Sequence, residues 1–249
     1  MIPAKELKRL KSLKQKKYRY RYSQFLIEGW RLIEEAVTSQ ANVIQAWYHT
    51  DRDYPHQMLL DKLDQQQIPH EEVTKIEINI LSDTVHNQGI AALVKFPEQK
   101  QLTDNSNQNW IYLDNVSDPG NLGTILRTAD WFGIRNIGFS HNCVDPYNPK
   151  VVRGGMGAHF HISIHTEVDL NDIKAMGHTI LAADQSGTSL SKCNASSITK
   201  WCLVLGSETH GISEEITPLI DHLVAIPGTG KAESLNVAVA GGILMFLLK

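Results

Sequence analysis

Cysteine is scarce in this 249-residue chain: Cys143, Cys193 and Cys202 lie far apart, and no Cys-x-x-Cys occurs. That argues against a disulfide framework or a thiolate zinc site and fits a reducing compartment. Long apolar runs are missing as well. The N-terminus carries no signal core, and the apolar tail after Ser234 is too short to span a bilayer. A cytoplasmic protein without a membrane partner is therefore expected. No Gly-x-Gly-x-x-Gly follows the first strand of the second half, which disfavours a nucleotide-cofactor oxidoreductase. His159 and His161 could share a strand face near His165, but no acid or cysteine joins them, so no metal is expected.

Charge is present but unevenly placed. Residues 1–22 hold nine Lys/Arg and one acid, Glu6, whereas the remainder holds fifteen bases and twenty-six acids. A basic arm on an acidic body is the pattern of a nucleic-acid contact. Leu7, Leu10 and Leu13 recur every three residues, so one side of a helix can pack while the lysines stay in water. Tyr18-Arg-Tyr-Arg-Tyr22 alternates rings and cations, a mixture that serves RNA phosphates through Arg and bases through stacking. The alternative is a solvated amphipathic helix whose tyrosines cover the core edge.

Residues 25–27, 43–48 and 90–96 read as strands, and 31–38, 55–66 and 75–81 as helices, which makes residues 1–97 a small α/β unit. Residues 98–108 are polar and read as a linker to a second domain, 109–249. There a strand at 110–116 leads into Asp118-Pro-Gly-Asn-Leu-Gly, with Pro119 and Gly120 making the turn and Asn121 a helix N-cap. Gly133 stops that helix. Leu122, Ile125, Leu126 and Ala129 form its core stripe. Gly123 and Arg127 lie together off the stripe, which leaves room for a ligand to approach the cation.

Further strands at 136–140, 180–183, 201–205 and 222–225 alternate with helices, and 151–158 reads as a short helix or loop. The segment between 183 and 201 reads as polar loop. Such alternation means a largely parallel, doubly covered sheet. Two unusual loops follow its last strands: Gly206-Ser-Glu-Thr-His-Gly211, and Ile226-Pro-Gly-Thr-Gly-Lys231, after which Ala232-Glu-Ser234 opens an apolar final helix. Strand, Gly-rich loop and helix bring backbone N–H groups close to a ligand, although short Gly turns also close ordinary α/β units.

Three ordered motifs now stand together: Asp118-Pro-Gly-Asn-Leu-Gly-Thr-Ile-Leu-Arg-Thr-Ala129, Leu203-Val-Leu-Gly-Ser-Glu-Thr-His-Gly-Ile-Ser213 and Ile226-Pro-Gly-Thr-Gly-Lys-Ala-Glu-Ser-Leu-Asn-Val-Ala-Val-Ala240. From about residue 110 onward the chain resembles the SpoU (TrmH-like) family of RNA ribose 2′-O-methyltransferases. Phe25-Leu-Ile-Glu-Gly29 and Gln88-Gly-Ile-Ala91 resemble the L30e-like substrate-binding domain that precedes the catalytic domain in some members. The resemblance implies a deep trefoil α/β knot, S-adenosylmethionine as cofactor, and a homodimer acting on structured RNA, with ribosomal RNA favoured over tRNA. It assigns Gly206, Ile226 and Leu235 to the cofactor. It assigns Arg127 to the ribose-phosphate and the 2′-hydroxyl, and Asn121, Glu208, Ser234 and Asn236 to fixing the loops and substrate. Structural roles stand beside these: Asn121 and Ser234 as caps, Glu208 as a tie for loop N–H groups, Arg127 as a surface ion pair. A non-catalytic RNA-binding homologue, or the same chemistry on tRNA, is the alternative function.

Overall fold

A computed structural model describes residues 1–50, 57–98, 108–190 and 198–249. Most of the expected linker, the first two residues of the helix expected at 55–66, and Cys193 lie outside the described residues. The chain divides into two compact units, one of residues 1–98 with 147–160, the other of 99–146 with 161–249. No helix among the described residues is long and apolar enough to cross a membrane.

In the first unit, β1 (Gln24–Glu28), β2 (Val43–Tyr48), β3 (His70–Glu72) and β4 (Ile90–Lys95) form a sheet of order β1-β4-β2-β3. Helices α1 (Ala4–Ser12), α2 (Lys16–Tyr22), α3 (Trp30–Thr38), α4 (Gln57–Gln65) and α5 (Lys75–Leu81) surround it. Val43–Tyr48 and Lys75–Leu81 match the sequence expectation to the residue. α5 begins cleanly because Thr74 and Glu77 make a reciprocal capping box. Leu10 and Leu13 are fully buried with Trp47, Leu81 and Leu93, and Leu7 packs against the same cluster. The three-residue leucine spacing therefore marks core.

The second unit is built on β5 (Trp110–Leu113), β6 (Asn136–Phe139), β7 (Ser163–His165), β8 (Thr179–Ser189), β9 (Trp201–Leu205) and β10 (His222–Ala225). Their order is β10-β8-β9-β5-β6-β7, with every neighbouring pair parallel. Trp110, Tyr112, Cys202, Val204, Ile180 and Ala182 share one buried cluster. The alternate residues Ile111, Leu113, Leu203 and Leu205 are equally buried, so both faces are covered. α6 (Pro119–Trp131) and α9 (Val237–Leu247) pack through the rings of Phe132 and Phe246, 6.2 Å between centroids. α8 spans Leu170–Ala175, and α7 (Pro149–Gly155) belongs to the first unit.

Several local expectations are corrected. β8 runs on to Ser189 where a polar loop was expected, but its register against β10 jumps: Leu223 pairs Ala182 and Val224 pairs Thr188. Residues 183–187 are thus an excursion, and Gly187 passes so close that a Cβ would meet the Leu223 carbonyl carbon at 2.5 Å. His159 lies in a 3-10 turn (Ala158–Phe160) and His161 precedes β7, so they share no strand face. The final helix starts at Val237, not at 232–234, because Asn236 caps it by accepting from Ala238 N and Val239 N at 2.9 and 3.3 Å.

Candidate active site

In an open parallel sheet, ligands bind beyond the carboxyl ends of the strands, where the winding reverses. Here that place lies between β5 and β9, which are adjacent although three strands separate them in the chain. Their register pairs Leu113 with Leu205, so the first and second motif loops leave the sheet side by side. Asp114 N then donates to the Leu205 carbonyl at 2.9 Å.

The first motif turns into α6 through Asp118, whose carboxylate accepts from Asn121 N at 2.8 Å. Asp118, not Asn121, is therefore the N-cap, with Pro119 in the first turn where its missing N–H costs nothing. This frees the Asn121 side chain. Its Nδ2 donates to Glu208 Oε1 at 2.6 Å, and its Oδ1 accepts from Asn236 Nδ2 at 2.9 Å. One continuous line of hydrogen bonds thus joins a residue from each of the three motifs. Leu122, Ile125, Leu126 and Ala129 are buried as expected, but Gly123 is buried with them rather than lying open beside Arg127. Arg127 is exposed and makes no hydrogen bond or ion pair among the described residues. It stands about 9 Å along the helix axis from Asn121, at 1.5 Å per residue.

The second motif closes on itself. Ser207 N donates to the Gly211 carbonyl and Gly211 N to the Ser207 carbonyl, both at 2.9 Å. Glu208, Thr209 and His210 are held out at the exposed tip. A Cβ on Gly206 would meet Gly211 O at 2.4 Å and Ile212 N at 2.8 Å, so only glycine fits there. Asp114, which the sequence reading missed, anchors the far end of this loop. It is buried and its Oδ2 accepts from Ser213 N at 2.7 Å. A single acid at the end of an apolar strand carries no pattern that marks it. Asp118 was legible: Asp before Pro is a helix-start signature.

The third motif is open. Residues 227–236 are exposed, and a Cβ on Gly228 or Gly230 would meet nothing within 4 Å. Ile226 is half-buried and Leu235 is exposed, the two large apolar side chains of this loop. Ser234 is exposed and makes no hydrogen bond among the described residues, so a capping role for it is excluded. Backbone without side-chain filling, flanked by apolar groups, suits a flat heterocycle with a polar tail. No side chain here is an evident base. Burial pushes the Cys143 and Cys202 thiols up, and burial followed by the Asp114 charge does the same to the Tyr112 phenol. All three stay protonated at neutral pH.

Comparison with known proteins agrees with this geometry. Residues 108–246 match the model of the SpoU rRNA Methylase family, and residues 4–92 that of the MRM3-like substrate binding domain. The chain is 32% identical, over 98% of its length and 96% of the relative's, to the 23S rRNA (guanosine(2553)-2′-O)-methyltransferase RlmP of Bacillus subtilis (strain 168). Among solved structures, a putative RNA methyltransferase of the TrmH family from Porphyromonas gingivalis superposes with a TM-score of 0.85 at 30% identity, covering 100% of this chain and 98% of that one. An AdoMet-bound rRNA methyltransferase from Sinorhizobium meliloti gives 0.85 at 27% identity, covering 100% and 95%. With a family model spanning more than half its residues and a full-length relative above 30% identity, this chain belongs to the SpoU rRNA methylase family.

Proposed function

We propose that the protein transfers a methyl group from S-adenosylmethionine to a ribose 2′-hydroxyl in structured RNA, with ribosomal RNA the favoured substrate. The observation that carries this reading is the line Glu208–Asn121–Asn236, which ties the three motif loops together beyond the carboxyl ends of β5, β9 and β10. A module that only bound RNA would have no need to fasten all three loops to one another. The rRNA substrate of the Bacillus relative supports the choice of RNA.

S-adenosylmethionine, when bound, offers its methyl on a sulfonium that leaves as a neutral thioether. The open backbone of 227–230, with Gly206, Ile226 and Leu235, would hold it. Positioning supplies much of the rate in such an in-line displacement, and the hydrogen-bonded loops provide it. The acceptor hydroxyl is a poor nucleophile until its developing charge is stabilised. Arg127 is permanently protonated and cannot be a simple base. Its guanidinium pairs with a substrate phosphate and the incipient alkoxide, while water or that phosphate takes the proton. Ser234 faces the substrate from the third loop. The chain's path supports the deep trefoil knot of the proposed fold: after β10 at the sheet edge it returns as α9, whose Gly241 lies over Leu205 of β9.

Incubation with methyl-labelled S-adenosylmethionine and rRNA from a strain lacking the gene should place label on one nucleotide. The linkage there should resist alkali, and a 2′-deoxy substitution should abolish labelling. Label on a base would sink the ribose assignment, and no label on any RNA would favour the binding-only homologue.

We also propose that the protein is a homodimer. Trp131 on α6 is 83% exposed and Phe246 on the adjoining α9 is 64% exposed, with Val239 and Leu247 also bare. Large apolar groups clustered on two packed helices mark an interface, and a second copy of the same face covers them symmetrically. Light scattering should give two chains per particle, and Trp131→Glu with Phe246→Glu should give one. A wild-type monomer at micromolar concentration would remove the proposal.

A further inference from the structure

The basic arm takes no part in the chemistry above, and its structure divides the nine cations into two sets. Arg9 donates to both Glu6 oxygens at 2.9 and 2.6 Å and to Gln24 Oε1 at 2.7 Å. Arg19 is buried, its Nη1 donating to the Leu13 and Lys14 carbonyls at 2.8 Å each. Lys14 donates to the Ser82 carbonyl. These three fasten α1 and α2 to the first unit, so the expectation that both arginines of the Tyr-Arg-Tyr-Arg-Tyr run serve phosphates fails for Arg19.

Lys5, Lys8, Lys11, Lys16, Lys17 and Arg21 are different. All six are exposed and make no ion pair among the described residues. At 100° per residue, Lys5, Lys8 and Lys11 fall on one side of α1, away from Leu7, Leu10 and Leu13. In α2 the same rotation puts Lys16, Lys17, Tyr20 and Arg21 on one arc, with Arg19 outside it. Lys16 Nζ lies 5.5 Å from the centre of the Tyr20 ring, and Phe96 meets that ring edge-on at 5.3 Å. The arm thus presents fixed cations on helices whose opposite sides are core.

We infer that these six side chains are a phosphate-contacting surface that tracks the RNA backbone without reading sequence. The inference rests on the RNA-methyltransferase reading for its choice of partner. A membrane fits less well, because a helix lying on lipid inserts its apolar face, and the leucines of α1 are turned into the core.

Deleting the arm would open the core around Leu10 and Leu13, so the test neutralises charge in the full-length protein. Lys5, Lys8, Lys11, Lys16, Lys17 and Arg21 are changed together to Gln, and a second variant changes the five lysines to Arg. Binding of a labelled RNA hairpin is titrated across a range of salt. The Gln variant should bind roughly 100-fold more weakly, and its log–log salt slope should flatten by up to about 0.7–0.9 per cation removed. The Arg variant should bind as wild type. Thermal melting and S-adenosylmethionine binding should be unchanged in both, as should single-turnover methylation of deproteinised rRNA at saturating concentration. A Gln variant with wild-type affinity and slope overturns the inference. So does one whose RNA binding is intact while binding to phosphatidylglycerol vesicles, or to polyglutamate, is lost. If wild-type protein binds the hairpin with the expected slope but methylates no RNA, the catalytic reading fails and this surface stands.

Discussion

Arg127→Ala should leave a folded, cofactor-binding protein that barely methylates. Arg127 is exposed and unpaired among the described residues, so its loss should change stability by no more than about 0.5 kcal/mol. Cofactor affinity should hold, since the proposed pocket comes from the second and third loops. Single-turnover methyl transfer should fall by about 10²–10³-fold, the effect of removing one contact made to developing charge in the transition state. Arg127→Lys should rescue poorly, because an ammonium keeps the charge but not the planar fork. Transfer within a few-fold of wild type would remove Arg127 from the mechanism. A much lower melting temperature would instead make it structural.

Gly206→Ala should damage the cofactor site through the backbone. The new Cβ would lie 2.4 Å from Gly211 O and 2.5 Å from its carbonyl carbon, and no rotamer can relieve a clash with main chain. The loop must open, which breaks the paired Ser207–Gly211 hydrogen bonds and draws Glu208 away from Asn121. Overpacking of this kind costs about 1–3 kcal/mol. With that cost falling on the cofactor-bound state, S-adenosylmethionine affinity should drop about 5- to 140-fold, since each 1.4 kcal/mol is a factor of ten. Gly228→Ala is the control: its Cβ meets nothing within 4 Å, so the free protein should melt as wild type. Calorimetric titration of both variants checks this, and wild-type cofactor affinity in Gly206→Ala would show that the second loop lies outside the pocket.

The short strand β3 shows where pattern reading stops. His-Glu-Glu has no apolar period, and it is a strand only because β2 offers it a parallel edge. Arg19 shows the same limit in a helix. Rings and cations alternate evenly along 18–22, and nothing local says which arginine turns inward; the end of α1 decides it, by supplying two carbonyls that need donors. Gly123 was misplaced because glycine, without a side chain, looks equally suited to either face of α6.

By itself the sequence determined what depends on neighbours along the chain. β-type runs set the strands Val43–Tyr48, Trp201–Leu205 and His222–Ala225 to the residue; in Trp201–Leu205 burial on both faces leaves no polar position at all. The three motifs set which side chains and which bare backbone were on offer. Only the tertiary structure decided which of these meet. Asn121 reaches Glu208 across 87 positions and Asn236 across 115. Those meetings follow from a strand order, β10-β8-β9-β5-β6-β7, that no local periodicity encodes. Strand order is settled by how two covered faces pack at once. The site is therefore a product of the sheet's winding, while the groups in it were legible one loop at a time.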